Sequence, residues 1–309
     1  MTSPFASPSV AILSRRNLLA ACLALALPSW PARAAELVDA RGRHMAVGDL
    51  SRIVCVGGTI TEILYALGAA GGIVAVDSTS EFPAEALRDK RNIGYMRMLS
   101  AEGVLSAGPS LLLVMEGSGP PEAIDALLAS PVPLLFVDAT PTPEAVLGRV
   151  RFLASVTDTV AAGDRLCRTI QSGFADLDAW RASHPGGQRV LFVLSMRNGQ
   201  PVVAGAGTSA DAIIGLAGGV NAATALKNYS PVSDEAVTTL RPDVVLTMDH
   251  AGMSFDDAAL DGPAFRLTKA GQRHALIRMD GGLLLGFGPR TPVAALEMAK
   301  RLDALGSPT

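Results

Sequence analysis

The sequence predicts an α/β fold made of two similar α/β lobes with parallel-type sheets, joined by a single long α-helix. Three observations predict it. Short, continuously apolar runs alternate with helical stretches, which is the pattern of parallel strands buried on both faces. The second half of the chain repeats landmarks of the first half in the same order. A long amphipathic segment lies between the two halves.

Residues 1–34 are predicted to be an export signal that is removed from the mature protein. Arg15 and Arg16 lie at the end of a positively charged N-terminal region, and an apolar stretch of about ten residues follows. Ala32 and Ala34 are the small residues that a signal peptidase requires before its cleavage site. The apolar stretch is too short to span a bilayer, which takes roughly 20 residues. We therefore expect cleavage near Ala34.

Two features of this segment leave alternatives open. Residues 14–19 resemble a twin-arginine export motif without its usual aromatic and lysine residues, so the twin-arginine route and ordinary export both remain. Residues 19–22 resemble a lipobox, which would make Cys22 a lipidated N-terminus. The apolar run continues beyond Cys22, and this favours cleavage near Ala34.

Composition excludes several classes of function. The 309 residues are 49% hydrophobic and 18% charged, which excludes a disordered chain. The net charge of −3 predicts no basic surface for nucleic acid. Four His and three Cys are too few for a metal cage built from those residues. Cys55 falls in a strand pattern and Cys167 in a helical one, so both are expected to be buried small residues rather than a disulfide.

The N-terminal lobe is predicted over residues 35–156 and the C-terminal lobe over residues 185–309. The strand candidates are residues 53–56, 73–76, 111–115 and 134–137 in the first lobe, and residues 190–194, 244–247 and 275–277 in the second. Glu102, Val104, Pro109, Leu113 and Met115 recur 133 positions later as Glu235, Val237, Pro242, Leu246 and Met248. Gly58, Thr59 and Glu62 likewise correspond to Gly207, Thr208 and Asp211. Both matches in order favour duplicated lobes.

Residues 157–184 are predicted to form the connecting helix. Leu166, Ile170, Phe174 and Leu177 recur at helical spacing, and Pro185 ends the pattern. A helix of about 25 residues spans roughly 37 Å, which suits a stiff strut between two lobes. The cleft between the lobes is then the expected position of a ligand.

Enzyme motifs are weak or missing, and we expect no enzyme and no cofactor of its own. Residues 205–210 form a partial dinucleotide fingerprint, but the acidic residue expected about 20 positions later is absent, so a tight turn is the simpler interpretation. No nucleophile elbow and no phosphate-binding loop occurs. The four histidines, which are His44, His184, His250 and His274, lack metal-ligand spacing.

A loop between the first βα unit and the next helix carries Tyr95 and Arg97. Loops at the strand ends of one lobe face the cleft, and side chains two residues apart point the same way in extended backbone. A phenolate suits ferric iron, whose charge lowers the pKa of the phenol. A guanidinium nearby favours the phenolate or pairs with a carboxylate. An ordinary surface Tyr–Arg pair is the alternative.

Residues 94–106 resemble the signature of the periplasmic hemin-binding proteins of bacterial ABC importers, a class III substrate-binding protein family. Further similar stretches are residues 52–58 with 61–63, residues 203–205 with 208–211, and residues 284–290, so the resemblance covers about residues 50–305. It implies two α/β lobes joined by one long helix. It also implies a monomer in the periplasm that captures hemin between its lobes for iron acquisition, and delivers it to an ABC permease and its ATPase in the inner membrane.

The resemblance also assigns residues. It implies that Tyr95 ligates the haem iron and that Arg97 supports the phenolate or pairs with a propionate. Some relatives place a His after the first strand of the C-terminal lobe, where this sequence has Met196. The iron is then either five-coordinate with Tyr95 alone, which we prefer, or has the Met196 thioether as a sixth ligand. The other predicted ligand-binding residues of the cleft are Arg197, Tyr229 and Arg290.

The repeated glutamates Glu102 and Glu235 match the positions that present one carboxylate per lobe to the permease in this family. The alternative is two solvated carboxylates, which are favourable at helix N-termini. One rival function keeps the fold but binds a ferric siderophore or cobalamin. A more distant rival is a secreted α/β enzyme that uses residues 205–210 on a phosphorylated ligand.

Overall fold

The computed structural model describes residues 36–249 and 255–306. The predicted export signal, with Cys22 and the expected cleavage at Ala34, and also His250 lie outside the described residues. Among the described residues, no helix has both the length and the apolar character needed to cross a bilayer.

The N-terminal lobe is a five-stranded parallel sheet with helices on both faces. The strands of this lobe, including two outside the sheet, are β1 (Glu36–Val38), β2 (His44–Ala46), β3 (Ile53–Val56), β4 (Ile73–Val76), β5 (Arg91–Asn92), β6 (Leu111–Met115) and β7 (Leu134–Val137). Its helices are α1 (Gly58–Ala66), α2 (Glu85–Asp89), α3 (Ala101–Leu105), α4 (Pro121–Leu128) and α5 (Pro143–Val156). The sheet order is β5-β4-β3-β6-β7, and β1 and β2 form a separate hairpin. Strands β3, β6 and β7 are buried at every position, which is why their sequences are apolar throughout.

The C-terminal lobe is built on a six-stranded mixed sheet. Its strands are β8 (Arg189–Arg197), β9 (Gln200–Ala204), β10 (Val220–Asn221), β11 (Tyr229–Pro231), β12 (Val244–Asp249) and β13 (Leu276–Asp280). Its helices are α7 (Ser209–Leu216), α8 (Asp234–Leu240), α9 (Lys269–Gln272), α10 (Gly281–Leu285) and α11 (Thr291–Gly306). Strands β10, β8, β12 and β13 are parallel, whereas β9 and β11 are antiparallel to their neighbours. The predicted parallel core is therefore present, with an antiparallel hairpin added at one edge.

The connecting helix is α6 (Val160–Ser183), whose 24 residues span roughly 36 Å. It packs against α5 of the first lobe and α11 of the second. Two glycines permit this close approach, since a Cβ atom on Gly163 would lie 2.6 Å from the Ala154 Cβ, and one on Gly173 would lie 2.9 Å from Pro292. One apolar cluster runs from the first lobe through α6 into the second, so the lobes share a core. The fold is the predicted two-lobe α/β architecture with one long helix.

Equivalent elements carry the residues of the internal repeat. Helices α3 and α8 each begin after a serine cap: the Ser100 hydroxyl accepts from the Gly103 N–H at 3.2 Å, and the Ser233 hydroxyl accepts from the Ala236 N–H at 3.3 Å.

Cys55 and Cys167 are buried and unbridged, as expected. Burial raises the pKa of the Cys55 thiol to about 12, so this thiol is inert at neutral pH.

Candidate functional site

A cavity of about 510 Å³ lies between the two lobes. It opens at the carboxyl ends of the parallel strands of both sheets, where ligands bind in open α/β folds. The first lobe contributes among others Gly58, Thr59, Glu62, Phe82, Tyr95, Met96, Arg97, Met115, Glu116 and Arg149. The second lobe contributes Ser209, Met248, Asp280, Gly281, Gly282, Leu285, Gly286, Phe287 and Arg290. The lining thus combines apolar side chains with a small number of charged groups, which is typical of a ligand pocket.

Tyr95 and Arg97 lie on the cavity wall, in a turn held by backbone hydrogen bonds. The Ser78 N–H donates to the Gly94 carbonyl at 2.8 Å, and the Met98 N–H donates to the Tyr95 carbonyl at 2.8 Å. Tyr95 is 42% exposed, and within residues 36–249 and 255–306 no group hydrogen-bonds its hydroxyl. The main chain is therefore fixed while the phenol is available to a ligand.

Tyr229 of the second lobe lies near this pair. Burial raises the pKa of Tyr229, the positive charge of Arg97 lowers it, and the charge of Tyr95 raises it. The Tyr229 ring packs edge-on against Phe192, with ring centroids 6.4 Å apart. Tyr229 is not among the residues that line the cavity.

Met196 and Arg197 lie outside the cavity lining. They end strand β8 and lead into the turn at Asn198 and Gly199, which both have left-handed φ values of 51° and 79°. This is the two-residue Asn-Gly turn that joins antiparallel strands. Met196 is 39% exposed on this hairpin. Of the six predicted ligand-binding residues, the cavity is lined by Tyr95, Arg97 and Arg290.

Arg290 reaches across the cleft to a protein carboxylate. Its Nε and Nη2 donate to the two oxygens of Glu62 at 3.0 and 3.1 Å, and its guanidinium lies 3.7 Å from the centre of the Phe82 ring. Glu62 is only 9% exposed. Sequence reasoning noted Glu62 as part of the internal repeat but missed it as a site residue.

Arg149 is a second residue that sequence reasoning missed. It is 2% exposed, and its guanidinium donates to the carbonyls of Asp138, Thr140 and Phe287 at 2.8, 3.1 and 2.8 Å. Burial lowers the pKa of Arg149 to about 10, while the nearby charge of Asp138 raises it, so the group stays cationic at neutral pH. The available signal was a basic residue three positions after Val146, on the apolar face of α5.

Asp77 fixes the loops beneath the cavity. Its carboxylate accepts from the Gly57 N–H at 2.9 Å and from the Thr79 N–H at 3.1 Å, and the hydroxyls of Thr79 and Ser80 also donate to it. Burial raises the pKa of Asp77, and these hydrogen bonds oppose the rise. The loops touch at Gly58, where a Cβ atom would lie 2.1 Å from the Thr79 carbonyl oxygen.

The glycine-rich turn at residues 205–210 satisfies its polar groups internally. The Thr208 hydroxyl donates to the Gly205 carbonyl at 2.9 Å and accepts from the Asp211 N–H at 3.1 Å. The Asp211 carboxylate accepts from the Gly207 N–H at 3.0 Å and from the Asn221 side chain. A carboxylate therefore occupies the helix start where a phosphate would bind, which favours the interpretation as a tight turn.

Glu102 and Glu235 are both exposed in the first turn of their helices, at equivalent positions in the two lobes. A hydrogen bond from the Ser233 side chain lowers the pKa of Glu235. Both carboxylates therefore lie at the protein surface.

Two solved structures and one sequence relative show what the chain is similar to. The periplasmic haem-binding protein BhuT, in complex with two haems, is 34% identical; the match covers 82% of this chain and 98% of that chain, with a TM-score of 0.76. The periplasmic haem-binding protein RhuT from Roseiflexus sp. RS-1, in apo form, is 34% identical, with 83% and 99% covered and a TM-score of 0.77. The vitamin B12-binding protein of Vibrio parahaemolyticus is 24% identical over 209 residues, which are 67% of this chain and 74% of that protein.

Residues 53–282 match the family described as periplasmic binding protein. This match spans most of both lobes and the whole connecting helix. The chain therefore belongs to the periplasmic binding protein family and has the two-lobe fold of its haem-binding members.

Proposed function

We propose that the protein captures hemin in the cleft between its lobes and delivers it to an ABC permease. The observation that carries this proposal is Tyr95, which lines the cavity together with Arg97 and whose hydroxyl has no hydrogen-bond partner among residues 36–249 and 255–306. The 34% identity to two periplasmic haem-binding proteins supports it. Hemin is the cargo of this protein and not a resident cofactor.

Tyr95 would bind the ferric iron through its phenolate oxygen. The charge of a bound ferric iron would favour loss of the phenol proton. Arg97 also has the charge to pair with a propionate. Met196 lies outside the cavity lining, so five-coordinate iron with Tyr95 alone remains our preferred arrangement.

The rest of the lining suits the faces of a macrocycle. Met96 and Met115 from the first lobe, with Met248, Leu285 and Phe287 from the second, supply apolar contacts. Burial of apolar surface contributes roughly 25 cal/mol per Å², so a large planar ligand gains much of its affinity here. The cavity volume of about 510 Å³ lies within the range of small-molecule sites.

Delivery would use Glu102 and Glu235, one exposed carboxylate on each lobe. Their equivalent positions give a symmetric pair of anchors for arginines of an inner-membrane permease. Exposed ion pairs are individually weak and are screened by salt, so docking would be reversible. In this proposal the mature protein is a periplasmic monomer without catalytic activity, and the ATPase acts through the permease.

Cobalamin is the second candidate ligand, because sequence relatives such as the Vibrio parahaemolyticus protein are named vitamin B12-binding proteins. Cobalamin brings axial ligands for its cobalt in addition to the four ring nitrogens, so it would not need the Tyr95 phenolate. A ferric siderophore is the third candidate in this fold.

Titration of the purified protein with hemin, cyanocobalamin and a ferric hydroxamate siderophore separates the three candidates. We expect hemin to bind at one equivalent with a ferric phenolate charge-transfer spectrum, and the other two to bind at least about 100-fold more weakly. Saturation at two equivalents would instead match the two-haem complex of BhuT. Tighter binding of cyanocobalamin or of the siderophore would contradict the hemin proposal.

A further inference from the structure

One short segment of the C-terminal lobe, residues 286–290, receives hydrogen bonds from two elements of the N-terminal lobe. The Thr59 hydroxyl of α1 donates to the Gly286 carbonyl at 2.7 Å. The Arg149 Nη2 of α5 donates to the Phe287 carbonyl at 2.8 Å. Both donors are buried, at 8% and 2% exposure, and the Arg149–Phe287 bond is shielded from competing water.

The ion pair of Glu62 and Arg290 is a third contact between the lobes at the same segment. Both guanidinium–carboxylate bonds are formed, a geometry that is stronger and more directional than a single contact. Arg290 also covers the Phe82 ring, which adds a cation–π contact. Phe287 itself has a left-handed φ of 49°, which is rare for an aromatic residue and is held by these flanking contacts.

The same ion pair separates two cavities. A lateral groove of about 390 Å³ lies beside the cleft and is lined by Tyr65, Pro83 and Pro289 among others. Glu62, Phe82 and Arg290 line both the groove and the cleft cavity. These three side chains are therefore the wall between the ligand cavity and the groove.

We propose that residues 286–290 form an interlobe clasp that fixes the width of the cleft and closes its lateral wall. Glu62, Arg149 and Arg290 are positioning residues in this device, because they hold the walls that would contact the ligand. Opening of the clasp would loosen the lobes and join the cavity to the groove, which gives the ligand a second path to solvent. The effect on hemin rests on the proposed function, whereas the effect on the lobes does not.

The first arm of the test measures hydrogen–deuterium exchange without any ligand. In Glu62→Gln, we expect amides of residues 286–290 and of the start of α1 to exchange about tenfold faster, since one strong interlobe contact no longer opposes local opening. The matched control is Glu297→Gln, which breaks the Glu297–Arg301 pair within α11 of one lobe. It should leave exchange at residues 286–290 unchanged.

The second arm measures the rate at which hemin is lost to excess apomyoglobin. Glu62→Gln should release hemin about tenfold faster than Glu297→Gln does. The double variant Glu62→Arg with Arg290→Glu restores an ion pair in reverse and should bring both exchange and release back toward the original rates. Such rescue separates a clasp from a general loss of stability, which the thermal midpoint of each variant also reports.

Unchanged exchange at residues 286–290 in Glu62→Gln would overturn the clasp, as would faster exchange spread evenly over the whole chain. If no variant and not even the unaltered protein binds hemin, the proposed function fails. The exchange measurements then decide the clasp by themselves.

Discussion

Tyr229 of the C-terminal lobe lies within electrostatic reach of Tyr95 and Arg97 of the N-terminal lobe. Burial raises the pKa of Tyr229, and the charge of Tyr95 raises it further against the opposing effect of Arg97. Tyr229 is therefore a neutral phenol at neutral pH. Tyr95 is exposed and lines the cavity, so the two tyrosines are suited to different tasks.

Tyr95→Phe should remove the iron ligand while the cleft keeps its shape. We expect the ferric phenolate band to disappear and the hemin affinity to fall by about 100-fold or more, because no other phenol lines the cavity among the described residues. Visible spectra and hemin titration measure both effects.

Tyr65→Phe is the matched control for this variant, since Tyr65 lines the lateral groove and not the cleft. It should keep the spectrum of the unaltered protein. If Tyr95→Phe also kept the spectrum and the hemin affinity of the unaltered protein, Tyr95 would not be the iron ligand.

The double variant Glu102→Ala with Glu235→Ala should impair delivery without impairing capture. We expect hemin-dependent growth of a strain relying on this importer to slow by about threefold for each single variant and about tenfold for both, because exposed ion pairs are individually weak. Hemin titration of the purified double variant should match that of the unaltered protein. Glu122→Ala, which removes another exposed first-turn carboxylate, should leave growth normal. Loss of hemin binding in the double variant would mean that these residues serve the fold.

The parallel core could be predicted from the sequence because a strand buried on both faces must be apolar at every position. Residues 53–56 and 111–115 satisfy this condition completely. The hairpin of β8 and β9 was missed, although Asn198 and Gly199 are a strong signal for a two-residue turn. Strand β8 is apolar and buried in its first half and exposed at its end, which carries Met196 and Arg197, so the apolar run alone does not show how far the strand extends.

The partner of Arg290 could not be predicted because it lies 228 residues away in the other lobe. A local sequence shows that an arginine is present, but not whether its charge meets a ligand or a buried carboxylate. The placement of Tyr95 and Arg97 on the cavity wall could be predicted, since they share one loop and the loop follows a parallel strand. Residues of one loop can therefore be placed together from the sequence, whereas contacts between lobes depend on the assembled fold.

Gly58→Ala should destabilise the protein and weaken ligand binding together. The new Cβ atom would lie 2.1 Å from the Thr79 carbonyl oxygen, so the loops beneath the cavity must separate. We expect a loss of about 1–3 kcal/mol in the free energy of unfolding.

Gly148→Ala is the control, because Gly148 is exposed in the middle of α5 with no atom within 4 Å of a Cβ. It should stabilise by about 0.5–1 kcal/mol. Equal stability of the two variants in urea unfolding would contradict the predicted clash.

The stability contributed by Asp39 should depend on pH. Burial alone would raise the pKa of Asp39, but hydrogen bonds from Arg43, Phe136 and Arg41 outweigh burial and hold the pKa below its usual range. A carboxyl with a lowered pKa in the folded state stabilises the fold above its unfolded pKa, and this contribution is lost as the pH falls through the folded pKa. Asp39 connects the β1–β2 hairpin to β7, because its carboxylate accepts a hydrogen bond from the Phe136 N–H at 3.2 Å.

Asp39→Asn should therefore cost about 2–3 kcal/mol in the free energy of unfolding at pH 7, because the Arg43 guanidinium loses its charged partner. Urea unfolding at a series of pH values checks this. The difference between the two proteins should begin to shrink as the pH falls below about 4, where Asp39 of the unfolded chain is protonated, and should be lost below the lowered pKa of the folded state, where protonated Asp39 resembles the amide. Asp49→Asn is the control: the hydrogen bonds from Ser51 lower the pKa of Asp49 too, but this carboxylate is fully exposed. A gap between Asp39→Asn and the unaltered protein that stayed constant down to acid pH would show that the charge of Asp39 does not stabilise the hairpin.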